Sequence, residues 1–135
     1  MLILLMFLHV CWLMLLYTAL TILRAPTAWN IDTKSGRIAS LQSYEPKVSA
    51  NLSNQFEWPL LFYACCILTL NTGLSDGLLQ ACAVVFVLGR LLHSIVQIFT
   101  DNVRLRGLVF SINFAAVFFM WLRLLMIYPI DRFQY

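Results

Sequence analysis

The sequence predicts an all-α integral membrane protein, a four-helix bundle with both termini on the non-cytoplasmic side. Composition is the first reason. The 135 residues are 61% hydrophobic and 11% charged, with a mean hydropathy of +0.83. A soluble domain carries about 25% charged residues, and one this small has too little interior to hide so much apolar surface. Pattern is the second. Four apolar runs, at about 2–23, 55–74, 78–99 and 105–128, each approach the roughly 20 residues of a spanning helix. The breaks between them are the third, since each is polar or turn-forming. The length fits one domain over residues 1–135.

The first run contains no Asp, Glu, Lys or Arg. A cleaved signal peptide would need a basic start and a shorter apolar core, so the run is read as a spanning helix. His9 within it is expected to be a packed or interfacial residue. Arg24 and Pro26 are expected to end this helix. The polar stretch 24–53, with a turn at Lys34-Ser35-Gly36 and a break at Glu45-Pro46, reads as a solvent-facing cytoplasmic loop with room for a short interfacial segment. Asn71, Gly73, Ser75, Asp76 and Gly77 form a tight turn after the second run. Thr100-Asp101-Asn102 separates the third and fourth runs, and Pro129 closes the last. Cys11, Cys65, Cys66 and Cys82 all lie in apolar runs, without metal-ligand spacing, and read as small buried hydrophobes.

Arg and Lys set the orientation. Arg24, Lys34, Arg37 and Lys47 occupy the first loop, and Arg104 and Arg106 the third. The second turn and the N-terminus have none, and the tail has only Arg132. Loops one and three are therefore expected to face the cytoplasm. Trp29 and Trp58 at one end, and Tyr128, Phe133 and Tyr135 at the other, fit interfacial belts. The net charge of +3 comes without a basic patch, so no nucleic-acid partner is expected.

Polar groups inside spanning helices are costly, about 3 kcal/mol for a charge on insertion scales, and invite a functional reading. Asn54-Gln55-Phe56-Glu57 opens the second run, ahead of Pro59. Asn54 and Glu57 fit an N-cap and its capping-box partner; they also fit a carboxylate site for a ligand's ammonium group. Arg90, His93 and Gln97 share one helix face through spacings of three and four. That face is expected to form either a packing network or the lining of a polar cavity. Arg104 and Arg106 serve topology, or stabilise an anion or thiolate. Arg123 is expected to snorkel to the outer interface, and Ser111 and Asn113 to bond between helices.

Taken in order, these residues resemble the MAPEG family, the membrane-associated proteins in eicosanoid and glutathione metabolism. The resemblance rests on Asn54-x-x-Glu57-x-Pro59, on Gly89-Arg90-x-x-His93, and on the arginine pair before the fourth run. It covers nearly the whole chain and looks like a bacterial-type member. The resemblance implies a homotrimer that binds glutathione between neighbouring subunits near the cytoplasmic side. Asn54, Glu57, Arg90, His93 and Gln97 would hold glutathione, and Arg104 or Arg106 would activate its thiol. A lipophilic electrophile would enter from the bilayer. The chain departs from glutathione-using members in having Ala50 where they carry an arginine and Gln97 where they carry a tyrosine. Lys47 is the nearest replacement for the missing charge.

Three function classes are compatible with these residues. The first is a glutathione-dependent transferase or peroxidase. The second is a non-catalytic, lipid-binding or partner-binding membrane subunit, which the Ala50 and Gln97 departures favour. The third is a small transporter or channel subunit with Arg90 on a polar path. The short termini favour a multi-pass protein of a bacterial inner membrane.

Overall fold

The computed structural model describes residues 1–31 and 36–128. Among them it has six helices: α1 (Leu2–Ala28), α2 (Gly36–Gln42), α3 (Glu45–Asn54), α4 (Pro59–Thr72), α5 (Gly77–Phe99) and α6 (Val103–Ile127). Of these, α1, α5 and α6 are long and apolar enough to cross a membrane. The expected turn at Lys34-Ser35, and Pro129, Arg132, Phe133 and Tyr135, lie outside the described residues.

The stretch expected to be a loop is largely helical. Arg24 and Pro26 do not end α1. Proline removes one N–H but its ring accepts helical φ, and the helix runs on to Ala28, where the Trp29 N–H still reaches the Ala25 carbonyl at 3.0 Å. Glu45-Pro46 opens α3 instead of breaking the chain, since proline is well placed in a first helical turn. Glu45 is also tied to Arg24, whose Nε donates to its carboxylate at 2.7 Å.

The second apolar run does not form one helix from residue 55. Pro59 has no N–H to give, and its ring excludes helix through the preceding turn. The chain therefore bends at 55–58, and α4 begins at Pro59. Its 14 residues rise about 21 Å, short of the roughly 30 Å hydrocarbon core. Asn54 is consequently the last residue of α3 and not the N-cap of a following helix. The two later turns are as expected. Gly73 ends α4 at φ 70°, Asp76 caps α5 by accepting the Leu79 N–H at 2.9 Å, and Asn102 caps α6 through the Leu105 N–H at 3.0 Å.

Two apolar clusters hold the helices together. Leu5, Phe62, Cys65, Phe86 and Met120 belong to one, in the half of the bundle nearest the α4–α5 turn. Leu16, Leu20, Val48, Leu52 and Ile98 form the other, where α3 packs on α1 and α5. The four cysteines are free, with Cys65 and Cys66 buried. Between the clusters, along both α1 and α5, lies a layer of buried polar side chains. Outward-facing residues of α1, α4, α5 and α6, such as Phe7, Ile67, Leu88 and Phe118, remain exposed and suit lipid.

Candidate functional site

The polar layer is built on the α5 face predicted from spacing. Arg90, His93 and Gln97 are 0%, 3% and 8% exposed. Such burial demands partners. Arg90 Nε donates to Gln55 Oε1 at 3.0 Å, and Nη2 donates to the Asn54 carbonyl at 2.7 Å. The α3–α4 bend thus supplies both acceptors, because interrupting the helix frees the Asn54 carbonyl. Nη1 has no hydrogen-bond partner among the described residues. Glu57 is exposed, within electrostatic reach of Arg90.

Gln97 Oε1 accepts from Asn51 Nδ2 at 2.9 Å and from Asn54 Nδ2 at 3.2 Å. Neither ring nitrogen of His93 makes a formed hydrogen bond, although the Gln97 side chain and the Arg106 backbone lie within electrostatic reach. Its ring packs 6.1 Å from that of Phe110, which in turn meets Trp58 at 5.8 Å.

Two cavities flank this face at the start of α6. One, about 300 Å³, is lined by Lys47, Ala50, Gln97, Asp101 and Arg106 among others. The second, about 320 Å³, is lined by Asn54, His93, Val103, Arg106, Gly107 and Phe110. Arg106 lines both. Arg104 is exposed and lines neither. Lys47 is engaged by Asp101 at 2.7 Å. Of the residues singled out from sequence, Asn54, His93, Gln97 and Arg106 are brought together around these cavities. Arg90 is joined to them through Asn54 but lines neither cavity; Glu57 and Arg104 stand outside them.

A family model for the MAPEG family matches residues 2–126. The chain belongs to the MAPEG family. No curated protein and no solved structure matches it. MAPEG proteins include glutathione transferases and peroxidases as well as non-catalytic members, and they typically form trimers.

Sequence reasoning missed the groups that hold this MAPEG face in place. The spacing of Asn54 and Glu57 gives Gln55 between them no role. Gln55 sits at the centre, bonded to Arg90, His9, Ser94 and Asn51. Trp12 Nε1 also donates to Ser94 Oγ at 3.1 Å. The available signal was spacing: Asn51 and Gln55, and Arg90 and Ser94, are both four apart, and His9 and Trp12 three apart. Two expected interhelical bonds are absent. Ser111 donates within α6 to the Gly107 carbonyl, and neither polar side-chain atom of Asn113 has a hydrogen-bond partner among the described residues. The Asn113 amide instead lies against Gly89, filling the space a Cβ would occupy. Arg123 does not simply snorkel: its Nε donates to Asp76 at 2.5 Å. The Leu79 N–H and the Arg123 guanidinium together hold the Asp76 carboxyl below its ordinary range.

Proposed function

We propose that this chain is a glutathione-dependent transferase or peroxidase acting on lipophilic electrophiles. The observation that carries this reading is Arg106, the cation shared by the two cavities flanking the buried polar face. An arginine stays protonated at any relevant pH. Fixed beside the ligand's sulfur, it stabilises the thiolate as the proton leaves for solvent. The thiolate then attacks the electrophile, forming the new bond to sulfur while the electrophile's electrons pass to its leaving group or acceptor atom. Arg90, His93, Asn54 and Gln97 would hold the peptide's polar ends, and Glu57 its ammonium group. Arg104, outside both cavities, serves topology.

The cavities are at the small end of the range for small-molecule sites, about 300–1,000 Å³, which supports a site completed by a neighbouring copy in a homotrimer. The arginine and lysine distribution supports a site on the cytoplasmic side of the membrane. The apolar co-substrate reaches it from lipid.

A second reading, a non-catalytic lipid-binding or partner-binding member, draws on one observation. The cavity lined by Ala50 and Gln97 has Lys47 and Arg106 as its cations, and Lys47 is already paired with Asp101. Calorimetry on the detergent-solubilised protein separates the two. The first reading expects micromolar-to-millimolar glutathione affinity, weakened by Glu57→Gln; no heat at about 10 mM glutathione, a concentration that reveals even weak affinity, leaves the second.

A further inference from the structure

We propose that His9 and Gln55 are positioning residues that hold the Arg90 guanidinium in the orientation the site uses. The inference rests on the glutathione reading for its affinity measurement alone.

Gln55 uses all its hydrogen-bonding capacity inside the bundle. Its Oε1 accepts from Arg90 Nε at 3.0 Å and faces His9 Nε2 at 3.2 Å. Its Nε2 donates to Ser94 Oγ at 3.0 Å and to Asn51 Oδ1 at 3.4 Å. An arginine only donates, so the Gln55 atom facing Arg90 is the oxygen. The same oxygen faces His9, so His9 Nε2 carries a hydrogen. The opposite ring nitrogen, Nδ1, lies 2.8 Å from the Tyr63 hydroxyl, a much closer acceptor for it than the Met6 carbonyl at 3.5 Å, so the hydroxyl donates to Nδ1 when Nε2 carries the hydrogen. One assignment of donors and acceptors therefore runs from α4 through α1 to the bend and on to α5.

His9 is fully buried in the part of α1 that precedes Arg24 and holds no Asp, Glu, Lys or Arg. An amide with one oxygen acceptor and two donors can turn over unless both ends are engaged. Arg90 and His9 hold the oxygen end of Gln55, and Ser94 and Asn51 the nitrogen end. With the amide locked, Arg90 is held at Nε and Nη2, and Nη1 stays uncommitted, on the same helix as the unpartnered His93 ring three residues on. Without His9, Gln55 loses one of two anchors at its oxygen, so the hold on Arg90 Nε loosens while the Asn54 carbonyl keeps Nη2.

The test uses full-length protein in detergent, labelled with ¹⁵N at histidine and arginine. The ligand-free His9 ring is expected to be neutral with its hydrogen on Nε2. In His9→Leu, the Arg90 Nε–H signal is expected to shift and exchange at least about tenfold faster, and glutathione Kd to rise about tenfold. His9→Gln, whose amide nitrogen reaches the same place, is expected to restore the signal and keep Kd within about threefold. Should His9→Leu fail to fold, His9→Asn, whose amide is one methylene too short to reach Gln55, carries the test: its Arg90 Nε–H signal should shift and exchange faster while that of His9→Gln does not. A hydrogen on Nδ1, an unchanged Arg90 signal in His9→Leu, or equal loss in His9→Gln overturns the inference. Wild-type protein that shows the expected signals but binds no glutathione overturns the glutathione reading and leaves the positioning role standing.

Discussion

Arg90 hangs from Gln55: its Nε–H meets Oε1 at 3.0 Å, where the α3–α4 bend lies against the middle of α5. The contact ties the one guanidinium buried among the described residues to the break in the second apolar run. It explains why a helix that could have run unbroken from residue 45 is divided at Pro59. The division exposes the Asn54 carbonyl and turns Gln55 inward, and both are spent on Arg90.

Replacing Arg90 with Met should therefore cost far more than an ordinary substitution. It removes two charged hydrogen bonds and leaves a buried carbonyl unpaired; a loss of about 3 kcal/mol is expected. Lysine should recover less than half of this, because it lacks the planar fork that reaches both acceptors. Thermal unfolding in detergent, followed by circular dichroism, measures the difference.

The Asn113 side chain of α6 packs directly against Gly89 of α5. A Cβ at position 89 would overlap the Asn113 side-chain oxygen. Gly89→Ala should destabilise the pair by about 1–3 kcal/mol, as overpacking does. Asn113→Ala in the same chain should return most of that, giving a clear coupling in a double-mutant cycle.

Asp76 both caps α5 and pairs with Arg123 of α6. Asp76→Asn keeps the cap and loses the charge, so it should lower the melting temperature less than Asp76→Ala. Because the folded protein holds this carboxyl below its ordinary value of 3.8, its contribution is present above that pH and fades as pH falls through the depressed folded value. Wild type should lose stability over that acid range, and Asp76→Asn should lose less.

The fold was largely legible because lipid imposes long apolar runs, and those runs, Gly73, Asp76 and Asn102, stand out in any reading. The stretch from Arg24 to Asn54 was not, because its helices are short and polar, and their stability comes from packing Val48 and Leu52 on Leu16 and Leu20. Spacing exposed the Arg90–His93–Gln97 face. It did not expose Gln55, whose role depends on a bend that Pro59 creates and on His9 from a distant helix. Nor did spacing choose between Arg104 and Arg106: two residues apart on one helix, they point to different sides, and only Arg106 borders the cavities.

That difference also yields the sharpest kinetic expectation. Arg106→Ala should reduce glutathione-dependent turnover by about 10²-fold, in the range for removing one fixed donor at a developing anion. Arg104→Ala should stay within a few-fold of wild type.

The most direct measurement is the ultraviolet difference spectrum of glutathione added to the wild-type, Arg104→Ala and Arg106→Ala proteins at neutral pH. A thiolate band in the wild type and in Arg104→Ala, lost in Arg106→Ala although the peptide still binds, is the predicted result. Bound glutathione without a thiolate band in the wild type, or a band that survives Arg106→Ala, would contradict it.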